Sequence, residues 1–177
     1  MLFRSPPQVR KLLERIQSFE ITKIQICREP VQGFVNKLMD LISLGKFSEL
    51  KARYGYDNMF HLFALLTLRD TVRNLDLQIR VEKNHVIDIT DKFKVGDKAR
   101  VMQISDIPKG LTLQTFLNNA LQRMGKSYWM YDAFTNNCQV YIDGLLKYNG
   151  LLTDELHEFI FQDVSAMEKE LSPVKIG

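Results

Sequence analysis

The sequence predicts an α+β fold, a small antiparallel sheet packed against helices. Apolar side chains recur at helical spacing near the N-terminus and again over residues 111–164. Between these regions, residues 77–81 alternate apolar with polar side chains, and residues 59–68 are apolar on both faces. Helices before and after a group of strands are typical of an α+β protein.

The first three elements are predicted from the spacing of their apolar residues. Residues 8–19 follow a Pro-Pro pair and have a one-sided apolar face with a charged back, which predicts a helix. Residues 20–27 alternate isoleucines with polar side chains, which predicts a short strand. Pro30 opens a segment with a wide apolar face, so we predict a second helix that ends near Gly45.

The middle of the chain is predicted to form the sheet. Residues 59–68 read as a central strand that is covered on both sides. Residues 69–76 can turn, and the alternating residues 77–89 then complete an antiparallel hairpin. Residues 99–105 are a third strand candidate.

The last part of the chain is predicted to be helical. Apolar residues recur at a spacing of about 3.6 over residues 111–125, 137–148 and 153–164. Thr153 and Asp154 supply a cap for the last of these helices.

Composition excludes several classes of protein. The 24 basic and 21 acidic side chains are interleaved, so we expect no nucleic-acid partner. No apolar run is long enough for a signal peptide or a transmembrane segment, so we expect an intracellular, cytoplasmic protein. Two cysteines do not make a zinc site, and no glycine-rich phosphate loop occurs, so we expect no metal and no cofactor. The oligomeric state is not predicted.

Cys138 is the strongest candidate for chemistry. Asn136 or Asn137 is a natural helix cap, so Cys138 falls in the first helical turn. Backbone N–H groups and the positive end of a helix stabilise a thiolate there. The same N–H groups, with Asn137 as the cap, are positioned to hold the oxyanion of a tetrahedral intermediate. The alternative role for Cys138 is a small buried apolar residue.

A nucleophilic thiol needs a base, and His61 is the best of the three histidines. It interrupts an apolar strand, where an imidazole is costly unless a partner satisfies it. The alternative is a core histidine bonded to backbone. His157 lies among acidic residues of a helix, which favours a solvated role.

The segments FHLFALLTL and NNCQVYIDGLL together resemble the circularly permuted papain-like proteins. This group includes lecithin:retinol acyltransferase-like enzymes and relatives of NlpC/P60 peptidases. Its histidine precedes its cysteine, which is the order here. Residues 43–68 and 80–89 also resemble uncharacterised permuted papain-like proteins of large DNA viruses and mobile elements, which implies a host-cell or virion location.

The resemblance implies roles for individual residues. Cys138 would be the nucleophile, and His61 the general base and later the acid. Members of the group add a polar residue on the next strand that orients the imidazole. Strand alternation places Glu82 and Asn84 on one face within reach of His61, and His85 is a rival if the chain bends there.

The resemblance also sets the expected domains and function. Residues 1–50 would be an N-terminal helical extension and residues 51–177 the catalytic domain, together one compact unit. We expect a cysteine peptidase that acts on peptide substrates through an acyl-enzyme. The alternatives are a lipid or amine acyltransferase or phospholipase of the same fold, an inactive binding or structural module, and a redox switch that pairs Cys27 with Cys138.

An aromatic group precedes the cysteine. It comprises Tyr128, Trp129, Tyr131 and Phe134. Two interpretations stay open, a packed loop and one wall of a substrate cleft.

Overall fold

The computed structural model describes residues 5–30, 60–132 and 135–161 of the 177-residue chain. In these ranges one α-helix is followed by five strands and then by three more α-helices: α1 Pro7–Ile16, β1 Glu20–Pro30, β2 Phe60–Asp70, β3 Leu75–Lys83, β4 Ile87–Thr90, β5 Arg100–Ile104, α2 Leu113–Met124, α3 Cys138–Lys147 and α4 Asp154–Ile160. A 3-10 turn, Gly125–Tyr128, follows α2. The predicted α+β class is confirmed.

The strands form one antiparallel sheet in the order β4-β3-β2-β1-β5. Strand β2 is in the middle, as its apolar sequence predicts, and its residues 62–66 are buried in succession. Side chains on successive strand residues point to opposite faces, so β2 is covered on both sides.

Two turns set the positions of β2, β3 and β4. In the predicted hairpin, the Asp70 carboxylate accepts hydrogen bonds from the backbone N–H of Val72 and of Arg73, at 3.0 and 3.1 Å. The segment 77–89 divides into β3 and β4, because the chain turns at residues 84–86 with the Asn84 N–H bonded to the Val86 carbonyl. The alternation of β3 therefore ends before Asn84.

Strand β1 lies between β2 and β5, although it belongs to the segment that we assigned to an N-terminal extension. Helix α1 is also part of the main core, through Val9, Leu13 and Ile16. Described residues on both sides of residue 50 thus share one sheet and one core. Pro30 is the last residue of β1, and the helix predicted to follow it lies outside the described residues.

The two faces of the sheet are covered differently. The main core contains Leu62, Ala64 and Leu66 of β2 together with apolar residues of all four helices. The other face has a small cluster of Cys27, Phe63 and Leu65, with Phe93 packed against it. Helix α3 packs on β2 and β3 from the helical side, and α2 packs on α3.

Close packing holds α3 in place. A Cβ atom at Gly144 would lie 2.6 Å from the Met124 sulfur of α2, so glycine permits this approach. Thr153 caps α4 as predicted, with its hydroxyl 3.2 Å from the Leu156 nitrogen. Within the described ranges, no helix is long and apolar enough to cross a membrane.

Candidate active site

Cys138 is the first residue of α3, as the sequence predicts. The Asn137 side-chain oxygen accepts hydrogen bonds from the N–H groups of Gln139 and Val140, at 2.9 and 3.3 Å. The cap role of Asn137 is therefore confirmed. The first N–H groups of a helix have no partner within the helix, and they give this end a partial positive charge. The half-buried thiol of Cys138 lies in that field.

His61 lies near the start of β2, opposite Glu29 of β1. Its Nε2 is 2.7 Å from a carboxylate oxygen of Glu82 on β3, and both side chains are largely buried. An ionised carboxylate only accepts hydrogen bonds, so Nε2 carries the proton. In the neutral ring, Nδ1 then remains as the acceptor for a second partner.

The Cys138 thiol is the second group that acts on the His61 ring. Burial by itself lowers the pKa of His61, but hydrogen bonds to the Cys138 thiol and to Glu82, with their charges, more than offset burial and raise it to about 9. A protonated imidazole is therefore stable at neutral pH beside the thiol. Nucleophilic Cys-His pairs need this state, in which the thiolate faces an imidazolium.

Arg80 holds Glu82 in place. Its Nε and Nη2 atoms donate to the same carboxylate oxygen that His61 contacts, at 2.9 and 2.6 Å. The guanidinium also stacks 3.8 Å from the centre of the Phe63 ring. Burial raises the pKa of Glu82, but the hydrogen bonds and charges of His61 and Arg80 outweigh it and lower the pKa below its ordinary value. Glu82 thus stays ionised and orients the imidazole.

The structure distinguishes among the candidates for the orienting residue. Glu82 bonds to His61, whereas Asn84 begins the β3–β4 turn and lines the cleft beside them. His85 lies in the same turn, with its ring edge-on to Tyr131 at 6.0 Å between centroids. The chain does bend at this point, but the bend places His85 beside Tyr131.

Sequence reasoning missed Lys83, the last residue of β3. Its side chain is 1% exposed, on the helical side of the sheet. Nζ donates to the Ser127 carbonyl at 2.7 Å and to the Asn136 side-chain oxygen at 3.3 Å. The sequence could have indicated this burial. Lys83 lies two residues after Val81, and alternate residues of this strand, Ile79 and Val81, are buried.

A cleft of about 650 Å³ opens beside His61 and Glu82. It lies between the ends of β1, β2 and β3 and the segment before β5, and it is lined by Glu29, Pro30, His61, Arg80, Glu82, Asn84 and residues 96–99. A volume of this size is typical of pockets that bind small-molecule ligands.

The aromatic group before the cysteine divides into two parts. Tyr128 is buried and packs edge-on to Trp129 and Tyr141, as a packed loop requires. Tyr131 is 39% exposed, and the charge of Cys138 contributes to its raised pKa after burial. Tyr131 therefore lies close enough to Cys138 to feel its charge, whereas other residues line the cleft beside His61. Phe134 lies outside the described residues.

Both cysteines are free thiols, as the simpler reading of their spacing predicts. Cys27 is fully buried between the strands, and its pKa is raised to about 11 by burial and by the charge of Glu29, with Arg80 opposing them. Among the described residues, no three His, Cys, Asp or Glu side chains lie close enough together to bind one metal ion.

Comparisons of the chain with models of known protein families, with curated proteins and with solved structures find no match in any of the three. The resemblance to permuted papain-like proteins therefore stays a prediction, and the function is argued from the geometry of Cys138, His61 and Glu82.

Proposed function

We propose that this chain is a cysteine-dependent hydrolase of the permuted papain-like class, and that it cleaves amide bonds of peptide substrates. One observation carries the proposal. The His61 ring is bonded to Glu82 through Nε2 while it pairs with the Cys138 thiol at a helix N-terminus. Two free thiols are also what a reducing, cytoplasmic location favours.

In the first half of the proposed reaction, the Cys138 thiolate attacks the carbonyl carbon of the substrate. A C–S bond forms, and the carbonyl π electrons move to oxygen, where the positive end of α3 stabilises the charge. The His61 imidazolium then donates its proton to the leaving nitrogen. The C–N bond breaks, an amine departs and a thioester remains on Cys138.

In the second half, water attacks the thioester carbon while neutral His61 accepts the proton of the water. The tetrahedral intermediate collapses, the C–S bond breaks and its electrons return to sulfur. The products are a carboxylic acid and the original thiolate–imidazolium pair. Throughout both halves, Glu82 keeps the ring oriented and stabilises its charge.

The test is the rate of alkylation of Cys138 by iodoacetamide as a function of pH. The full-length chain would carry Cys27→Ala, so that Cys138 is the only thiol. We expect alkylation to stay fast well below about pH 8.5, the range in which an ordinary thiol ionises. In His61→Ala, the low-pH alkylation is lost.

The matched control is His157→Ala, because His157 is more than half exposed and bonds to Asp143 away from the site. It should leave the alkylation profile unchanged. If alkylation follows the ordinary thiol profile with and without His61, the enzyme proposal fails and an inactive binding module remains.

A second candidate is an acyltransferase, in which an amine or lipid hydroxyl replaces water as the acceptor. Exposed apolar side chains favour it, namely Met130 and Tyr131 in the loop that precedes Cys138, and Val86 in the β3–β4 turn. Such side chains can bind an acyl chain. The test incubates the chain with a fluorogenic peptide library and with short-chain thioesters, and mass spectrometry then identifies the acyl group on Cys138. A peptide acyl group favours the peptidase, and an acyl group from a thioester favours the acyltransferase.

A further inference from the structure

Lys83 is a buried, positively charged side chain, and the groups that contact its Nζ atom are uncharged. Its Nζ donates to two oxygens, the carbonyl of Ser127 and the side chain of Asn136, and lies 5.7 Å from the centre of the Tyr141 ring. Within the described ranges, no carboxylate lies within ion-pair distance of it. Burying an ammonium group without a nearby anion lowers the stability of the fold. A functional role would explain why the chain keeps this lysine.

The neighbouring tyrosines do not supply the anion. The Tyr141 hydroxyl donates to the Tyr128 hydroxyl at 3.2 Å, and both rings are buried. Burial raises the pKa of Tyr128 to about 12 and that of Tyr141 well above its ordinary value. Both phenols are therefore neutral wherever the lysine is charged.

The group whose negative charge would offset that of Lys83 is Cys138, which follows the Lys83 partner Asn136 by two residues. Burial lowers the pKa of Lys83 to about 8, and the charge of Cys138 opposes this shift. The contacts of Nζ are with the segment that leads directly into α3. Asn136, two residues before Cys138, also donates from Nδ2 to the carbonyls of Ser127 and Met130, at 2.9 and 2.8 Å.

We propose that Lys83 is a positioning residue of the site, which places a buried positive charge beside the Cys138 thiolate and ties down the loop before it through Ser127 and Asn136. The inference rests on the proposed function and adds to it. Lys83 acts from the helical side of the sheet, while His61 and Glu82 act from the strand ends. Both His61 and Lys83 would then stabilise the thiolate by their positive charge.

Other charged or titratable groups also face this site and must stay constant when Lys83 is tested. Tyr131 lies in the loop, Arg80 and Glu82 lie behind His61, and Asp88 and Asp132 lie further out. None of them is altered in the Lys83 and Lys126 variants.

The experiment measures Cys138 alkylation against pH in the full chain with Cys27→Ala, alone and with Lys83→Met. Methionine is close to the lysine stem in size and lacks the charge. In Lys83→Met, we expect the part of the profile where the alkylation rate rises with pH to shift to higher pH by about one unit, so that alkylation there is roughly tenfold slower. The constant rate reached at high pH should be unchanged. Lys126→Met is the matched control, because Lys126 is exposed in the same loop.

If Lys83 has only a structural role, Lys83→Met should lower the alkylation rate at high pH or the melting temperature without shifting the profile along the pH axis. That result would overturn the proposal. The His61→Ala arm separates the two hypotheses. If His61→Ala loses low-pH alkylation and Lys83→Met does not, the proposed function stands and the role of Lys83 fails.

Coupling between two sites is reciprocal, which gives a second measurement that does not need Lys83→Met to fold. The titration of the Lys83 side chain is followed by NMR of its Cε resonance in the Cys27→Ala protein and after the further change Cys138→Ser. Loss of the thiolate should move the titration of Lys83 to lower pH. An unchanged titration would refute the pairing.

Discussion

Cys27 and Cys138 are both free thiols, but Cys27 lies in the middle of a sheet and Cys138 lies at the first turn of a helix. Cys27 is fully buried with Phe63 and Leu65, and the nearby Glu29 further disfavours its ionisation. Cys138 is half-buried, and its charge raises the pKa values of His61 and Lys83 against the effect of burial.

We therefore expect placement, and not residue type, to decide which of the two thiols is reactive. Desolvation raises the cost of a thiolate, whereas a helix N-terminus and adjacent cations lower it. The same β2 strand serves both environments, because Phe63 packs on Cys27 and His61, two residues earlier, pairs with Cys138.

The largest expected effect is on native-state alkylation when one cysteine is removed at a time. With a pKa of about 11, only about one part in ten thousand of Cys27 is thiolate at pH 7. Cys138→Ser should therefore abolish measurable alkylation of the folded chain, whereas Cys27→Ala should leave it unchanged. Mass spectrometry of the labelled protein checks this, and rapid labelling of Cys27 in the native state would contradict it.

The next effect concerns the residue that orients His61. Glu82→Gln removes the negative charge that stabilises the imidazolium and leaves Arg80 without its carboxylate. We expect alkylation of Cys138 near pH 6.5 to slow by about tenfold to a hundredfold. The control is Asp88→Asn, opposite Glu82 in the β3–β4 register. Equal rates in the two variants would argue against an orienting role.

The pH dependence of stability should carry the signature of His61. Its pKa of about 9 in the folded state exceeds the ordinary 6.5, so the folded protein holds the proton more tightly. This stabilisation is complete below pH 6.5 and is lost as the pH rises through about 9. The free energy of unfolding of the wild type, relative to His61→Gln, should fall by roughly 3 kcal/mol across that window.

Urea denaturation at a series of pH values measures this difference. Lys83 titrates in the same window but is present in both proteins, so its direct contribution cancels to first order in the comparison. A difference that does not change with pH would mean that His61 is neutral in the folded protein.

The smallest effect is expected at the cap of α3. Asn137→Ala removes two hydrogen bonds to the first turn and should cost about 1 kcal/mol of stability. It should also slow alkylation of Cys138 by a few fold, because the first turn frays. Thr153→Ala, the same kind of change at α4, should lower stability similarly without slowing alkylation. Thermal melts and alkylation rates of the two variants, Asn137→Ala and Thr153→Ala, check both expectations.

Local pattern accounts for much of what the sequence predicts correctly. The strand at β2, the helix at α3 and the Asn137 cap follow from apolar spacing and from hydrogen bonds within a few residues. The hairpin at Asp70 is local as well. The sequence by itself thus determines that a thiol sits at a helix start and a histidine at a strand start.

Only the tertiary structure decided what surrounds that thiol. The register of β2 and β3 places Glu82 opposite Phe63, so its side chain reaches His61 diagonally across the two strands, just before the turn at residues 84–86 ends the alternation. The burial of Lys83 depends on α3 and on the loop at Ser127, 44 residues away in the chain. Strand β1 joins the sheet beside β2 for the same reason, since contacts between distant segments depend on packing that no local pattern encodes.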